Sequence, residues 1–324
     1  MLSRRACSPC VRRMGNRGEQ ARRLNELLGI LLGICILLSG FASALASDLA
    51  APGETLEVSP TSMKLQTSRD AQAFVARLLG ADGVSIDVTP DVKILLPTVV
   101  RNVGNVLLPA ADGSGKVVVS YGGHSATIDV TVSKAAADRA ISFKLDVMPI
   151  FMRAGCNSGG CHGSARGKDG FHLSLFGFDP DGDYQRITRE MGTRRVNLAI
   201  PEQSLILLKP TAQVPHTGGE RFKINSPMYA TLLRWLDAGA PQDPPTVAHA
   251  DSLEILPSQL VLDEGTSQRL TVRAHYSDGT ERDVTQLAVF STTNDACATV
   301  TDAGVVSATH RGEAFVLARF ATFT

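Results

Sequence analysis

Cys156 and Cys161 are separated by four residues, and His162 directly follows the second, in Gly155-Cys156-Asn157-Ser158-Gly159-Gly160-Cys161-His162-Gly163. Two cysteines followed at once by a histidine are the arrangement that attaches a c-type haem. Each thiolate adds to a vinyl group, and the adjacent histidine is held beneath the iron as proximal ligand. The usual spacing has two residues between the cysteines, so Gly159-Gly160 is where a longer loop has room to bulge. The same residues admit two other chemistries. Cys156 and Cys161 could close a short-loop disulfide in an oxidising compartment. Together with His162 and His216 they could form a Cys₂His₂ zinc site.

Other charged clusters have plainer readings. Asp179-Pro180-Asp181-Gly182-Asp183, with Glu190 at the twelfth position, partly copies a calcium loop. Tyr184 stands where such a loop needs glycine, so a turn and helix cap is expected instead. Arg194 and Arg195 could pair with haem propionates, or form a solvated face. There is no Gly-rich nucleotide loop, no G-x-S-x-G elbow and no H-E-x-x-H. The chain is therefore not read as an enzyme.

The elements that must position these residues differ along the chain. Helical periodicity predicts helices over Phe143–Ala154, Tyr184–Met191, Gln203–Lys209 and Pro227–Ala238. In the last, Pro227 suits a first helical position, Leu232, Leu233, Trp235 and Leu236 form an apolar face, and Gly239 follows as a cap. On either side runs an internal repeat. Leu56-Glu57-Val58-Ser59-Pro60 returns as Leu253-Glu254-Ile255-Leu256-Pro257. Asp82-Gly83, three residues, then Asp87-Val88-Thr89 returns as Asp278-Gly279, three residues, then Asp283-Val284-Thr285. Leu270, Val272, Ala274 and Tyr276 alternate with polar residues, which predicts a half-buried strand ending in an Asp-Gly hairpin. Further strands are predicted at Val117–Tyr121, Thr127–Ser133, Gln286–Ser291 and Ala314–Phe320. Aligning Tyr121 with Phe320 leaves the second copy without its last strand, an edge that argues for a fragment or for completion by another element.

The chain of 324 residues is long enough for two or three domains and has zero net charge. Residues 1–46 carry seven arginines and only Glu19 and Glu26 as acids, so the remainder holds 25 basic and 30 acidic residues. That mild acidity argues against a nucleic-acid partner. The apolar run Leu27–Ala46 ends in Ala44-Leu45-Ala46, the pattern of a secretory signal peptide cut after Ala46. Left uncut, its length would also serve as a membrane anchor. Cys297, the third cysteine beyond this segment, sits among Ala296, Ala298 and Val300 as a small core residue.

The second repeat copy resembles the bacterial immunoglobulin-like domain, group 2. It carries Leu253 to Pro257, Tyr276-Ser277-Asp278-Gly279-Thr280, Asp283-Val284-Thr285 and Gly304-Val305-Val306-Ser307-Ala308. The first copy matches less fully. Residues 140–242 resemble the planctomycete-type cytochrome-c module of large exported proteins. The shared stretches are Val147-Met148-Pro149-Ile150, the Cys156–His162 segment, Gly170-Phe171-His172-Leu173-Ser174-Leu175, Pro201-Glu202-Gln203-Ser204-Leu205 and Leu233-Arg234-Trp235-Leu236-Asp237-Ala238-Gly239-Ala240. In the commoner form of that module a Met-Pro-Pro segment before the final helix supplies the distal ligand. Here Val214-Pro215-His216-Thr217 occupies that place, which makes His216 the candidate sixth ligand opposite His162, with His172, Met191 and Met228 as rivals. The resemblances imply a multidomain chain: a signal peptide at 1–46, an immunoglobulin-like β-sandwich at 53–134, a mainly α cytochrome-c-like module at 140–242, and a second sandwich at 252–324. They imply a periplasmic or cell-surface protein binding haem c through Cys156, Cys161, His162 and His216, with a redox partner or cell-envelope component. The alternative is a structural or adhesive surface protein whose central module is disulfide-stapled and binds no haem.

Overall fold

A computed structural model describes residues 53–191 and 194–324. The segment predicted to be a signal peptide lies outside them. Among the described residues no helix is long and apolar enough to cross a membrane.

The first copy of the repeat folds into ten strands: β1 (Thr55–Ser59), β2 (Ser62–Leu65), β3 (Gln72–Ala73), β4 (Val75–Leu79), β5 (Ser85–Asp87), β6 (Lys93–Leu95), β7 (Val100–Val103), β8 (Val106–Pro109), β9 (Gly113–Tyr121) and β10 (His124–Val132). They pair as β1-β4-β5, β2-β10-β9-β6 and β3-β8-β7. Alternation does the work the sequence implied: Ile128, Val130 and Val132 of β10 are buried while Asp129 and Thr131 are exposed. These join Met63, Leu65, Phe74, Leu107, Val117 and Val119 in one core.

The second copy has β11 (Ala250–Leu256), β12 (Ser267–Arg269), β13 (Thr271–Tyr276), β14 (Glu281–Asp283), β15 (Val289–Thr292), β16 (Ala298–Val300), β17 (Val305–Ala308) and β18 (Val316–Arg319). Both Asp-Gly turns form as expected: Gly83 has φ +84° and Gly279 has φ +76°, each closing the hairpin that follows an alternating strand. The predicted strand Gln286–Ser291 needs correction. Leu287 and Ala288 both donate to the Val284 carbonyl, so Thr285–Leu287 is a helical turn and the strand starts only at Val289.

The sequence places the β-domains on either side of the module, whereas the structure brings them into direct contact through reciprocal bonds. Asp87 Oδ1 accepts from its own Thr89 N–H, and Oδ2 reaches the second copy to accept from Arg269 N (3.0 Å) and its guanidinium (2.7 Å). Asp283, its repeat counterpart, accepts locally from Thr285 N and Oγ1, and its Oδ2 accepts from Ala73 N of the first copy at 2.7 Å. Ala73 and Arg269 are themselves counterparts. So are two further crossing pairs: Arg77 donates to the Gln259 carbonyl, and Arg273 donates to the Ser62 carbonyl. The joint therefore has the self-complementary form of a two-fold interface between identical surfaces, built here within one chain.

Among the described residues the central module has only helical regular elements, but they are short and turns join them, so "mainly α" overstates its regularity. A π-helical turn (Phe143–Val147) leads into α1 (Met148–Arg153), followed by α2 (Pro180–Thr188), α3 (Leu205–Leu208) and α4 (Pro227–Asp237). Ser226 caps α4, and Leu232, Trp235 and Leu236 are buried. Trp235 packs on Phe143 and Tyr184, and its indole N–H donates to the Pro241 carbonyl. Asp179 caps α2 through the Gly182 N–H, as the turn-and-cap reading predicts. Asp183 is fully buried, accepts from Ser174 and pairs with Arg186, while Asp181 pairs with Lys144. These acids are engaged by protein partners.

The module docks on the second copy. Met152 enters that domain's core, and Asp146 accepts a two-pronged bond from Arg139 with Arg282 alongside. Burial alone would raise the Asp146 pKa. The bonds and charge of Arg139, helped by Arg282 and the Ser142 N–H, outweigh it and hold the carboxyl below its ordinary 3.8. Its stabilisation is therefore complete above that ordinary value and is lost as pH falls through the lowered one. Asp146→Asn should remove this acid-side dependence and cost about 3 kcal/mol, because two partly buried guanidiniums lose their counter-ion. Asp283→Ala should cost about 2–3 kcal/mol by orphaning three donors. Denaturant titrations at several pH values measure both.

Candidate functional site

The loop between the cysteines is wound into successive turns. Cys156 N donates to Phe151 O, Cys161 N to Ser158 O, and His162 N back to Cys156 O at 2.9 Å. That last bond returns Cys161-His162 to the side of Cys156 despite the four-residue spacing. Gly163 is required for the winding, since a Cβ there would stand 2.1 Å from the Asn157 carbonyl oxygen. Gly159 and Gly160 have negative φ, so the extra residues are taken up by helical turning and not by an unusual backbone.

Cys156, Cys161, His162 and His216 all line one groove. The loop after α3 carries His216 to it, turning where Gly219 N donates to the His216 carbonyl and Arg221 N to the Pro210 carbonyl. Of the rival ligands, His172 and Met228 are not among the residues lining it, and Met191 is exposed, with its sulfur near Arg195.

Each histidine is held in one tautomer. His162 Nδ1 lies 3.0 Å from the Phe171 carbonyl oxygen, and His216 Nδ1 lies 2.8 Å from that of Gly219. A carbonyl only accepts, so each Nδ1 bears the hydrogen and each Nε2 keeps its lone pair. Neither Nε2 has a hydrogen-bond partner among the described residues. A histidine fixed through Nδ1–H to a backbone carbonyl is the usual form of a metal-ligating imidazole. His162 also packs on Phe171, ring centroids 4.7 Å apart. Its pKa is lowered below 6.5, chiefly by burial, with the charges of His216 and Lys209 acting the same way against the Phe171 hydrogen bond. It is thus neutral, the ligating form, at neutral pH. Gly218 keeps the second ring in place: a Cβ there would lie 2.8 Å from His216 Cε1.

The cysteines differ. Cys156 packs against the module's core, and burial pushes its thiol up to about 12, so it is protonated and inert toward casual oxidation. Cys161 is half-buried, with the Arg221 guanidinium 3.4 Å from its sulfur. Both are free thiols in the structure. The zinc arrangement requires four side chains to converge on one point. Among the described residues no group of three or more His, Cys, Asp or Glu side chains does so.

The cavity within the groove measures about 90 Å³. Cofactor sites span roughly 300–1,000 Å³, so the cavity as it stands does not enclose a macrocycle, which would have to lie across the open face of the groove. Lys168, Arg194, Lys209 and Arg221 line it beside one acid, Asp169, giving a basic mouth suited to carboxylates. Arg195 fits neither sequence reading. It is buried, it donates to the carbonyls of Arg186, Glu190 and Gly170, and it lies 4.3 Å over the Phe171 ring. It therefore fixes the segment that orients His162. Arg221, Lys209 and the Phe171 carbonyl escaped sequence reasoning. Only the place of Phe171 inside a matched stretch pointed toward it.

Residues 249–318 match the family described as bacterial Ig-like domain (group 2), so the C-terminal domain is immunoglobulin-like, as its motifs indicated. No curated protein matches the chain.

In an NMR titration the His162 ring should titrate below 6.5, and Lys209→Gln should move its midpoint upward by removing a like charge. An unchanged midpoint in that variant would show that burial and His216, without Lys209, account for the shift.

Proposed function

We propose that this chain is an exported or cell-surface protein whose central module carries one covalently attached haem c, used for electron transfer or redox sensing. The β-domains act as its rigid mount. The observation that carries the reading is the pair of tautomer-locked histidines, His162 and His216, lining one groove with Cys156 and Cys161. Cys156 and Cys161 are the attachment sites. His162 and His216 would be the side chains that hold the haem iron. When bound, the haem supplies one-electron chemistry, and two imidazoles favour a lower potential than imidazole with thioether.

The chain's own residues do the rest. The Phe171 and Gly219 carbonyls hold both Nε2 lone pairs available. Phe151, Phe171 and Leu173 form an apolar wall, and Lys168, Lys209 and Arg221 neutralise acidic groups at the mouth. The apolar run at Leu27–Ala46 and the immunoglobulin-like domain support export, and the acidic balance after residue 46 speaks against nucleic acid. A redox protein or cell-envelope component is the expected partner.

Protein produced with haem-attachment machinery should gain the mass of one haem and give a c-type pyridine haemochrome spectrum. His216→Ala should keep the attached haem but change its resting spectrum, because the sixth ligand is lost. An unmodified mass with Cys156 and Cys161 joined by a disulfide would overturn the proposal in favour of a stapled structural module.

A further inference from the structure

Met191, a candidate ligand by sequence, does not line the groove, and its surroundings give it a different chemistry. It follows α2 at φ +58°, in the left-handed region where a residue with a side chain is strained. Among the described residues Met63, Met148 and Met152 are buried and Met228 is half-buried, whereas Met191 is 63% exposed. A peroxide in solution therefore reaches this thioether first.

One side of the sulfur faces a buried cation. Arg195 is only 6% exposed, and its Nη1 donates to the Arg186 and Glu190 carbonyls at 3.0 and 2.8 Å. Its Nη2 has two hydrogens. One goes to the Gly170 carbonyl at 3.0 Å, and the other is turned toward the Met191 sulfur, 3.9 Å away. Among the described residues no carboxylate pairs with Arg195. A thioether is a weak acceptor, so one hydrogen of this buried guanidinium is poorly satisfied. An oxygen placed on that sulfur stands one bond closer, which brings it to about 2.9 Å from Nη2, the ordinary N–H···O length. From Arg195 the contacts run on to the groove. The guanidinium lies 4.3 Å over the Phe171 ring, the Phe171 carbonyl fixes His162 Nδ1, and the Phe171 and His162 rings pack with centroids 4.7 Å apart. A group that tightens Arg195 therefore bears on the His162 ring without touching it.

We propose that Met191 is a reversible oxidation site for hydrogen peroxide, and that its sulfoxide oxygen locks Arg195 and, through it, the His162 ring. The sulfur gives an electron pair to one peroxide oxygen, the O–O bond breaks, and the second oxygen leaves as water with both protons. A methionine sulfoxide reductase, drawing on a dithiol as reductant, returns the thioether and releases the oxygen as water. The inference rests on these contacts and not on what His162 binds, so it stands apart from the haem reading.

The test treats the whole chain, with no haem attached, with hydrogen peroxide while NMR follows the methionine methyl groups and the His162 ring. Met191 should oxidise before Met228, and the His162 ring signals should shift in step with it. Reductase treatment should return both to their starting positions. Met191→Leu should abolish the His162 shift. Met191→Gln, whose amide oxygen is a permanent acceptor, should shift the His162 signals in the same direction without peroxide. Oxidation of Met228 ahead of Met191 would overturn the site. An oxidised Met191 beside an unmoved His162 ring would overturn the coupling. A shift that persists in Met191→Leu, or is missing in Met191→Gln, would overturn the bond from Arg195 as its cause. Haem attachment is read separately by mass, so its failure and the failure of this proposal are distinct results.

Discussion

Everything else in this molecule hangs on two aspartates that each serve two masters. Asp87 and Asp283 use one carboxylate oxygen to pin the turn after their own strand and the other to grip the opposite domain. The local role alone makes a hairpin, and the crossing role makes a joint. Because the two residues are repeat counterparts and so are the groups they grip, one geometric solution is used twice. The joint then needs no large apolar interface, since each buried carboxylate oxygen is satisfied by donors that are themselves satisfied. The two halves are not electrically equal. Asp87 has the Arg269 guanidinium, whereas Asp283 has only N–H and O–H donors, and burial raises its pKa.

The site shows the same economy at a smaller scale. Neither histidine is oriented by a charged partner. Each is set by a backbone carbonyl, one placed by the bend at Phe171 and one by the turn at Gly219. A carbonyl fixes a tautomer as firmly as a carboxylate would, without adding negative charge to a basic groove. Arg195 extends the logic outward: its buried guanidinium holds the Gly170 carbonyl and stacks on the Phe171 ring, so a cation that does not touch His162 helps set the direction of its ring.

Much of this was legible in the sequence, for reasons that particular residues make plain. The Asp-Gly turns and the alternation from Leu270 to Tyr276 fix strands because period and turn chemistry are local. Pro227, Trp235 and Gly239 mark a helix for the same reason. His216 was singled out by the resemblance of its segment to the Met-Pro-Pro stretch, and the fold does bring it to the groove lined by Cys156, Cys161 and His162. What stayed hidden was non-local or carried by the backbone. Asp87 and Asp283 read only as markers of the repeat, because nothing in Asp-Val-Thr signals that a second oxygen crosses to another domain. A carbonyl such as that of Phe171 has no side-chain signature at all. Arg195 read as surface because arginine usually is, until its donors met three inward-facing carbonyls.

The joint between the β-domains also changes what the central module is in mechanical terms. With the domains clasped directly, residues 140–242 form a closed loop whose base is shut. A pull applied between the far sides of the two β-domains is borne first by the aspartate contacts and the crossing arginines. The cysteine loop and the histidine turns lie off that load path, so their geometry is shielded from tension until the clasp itself gives way.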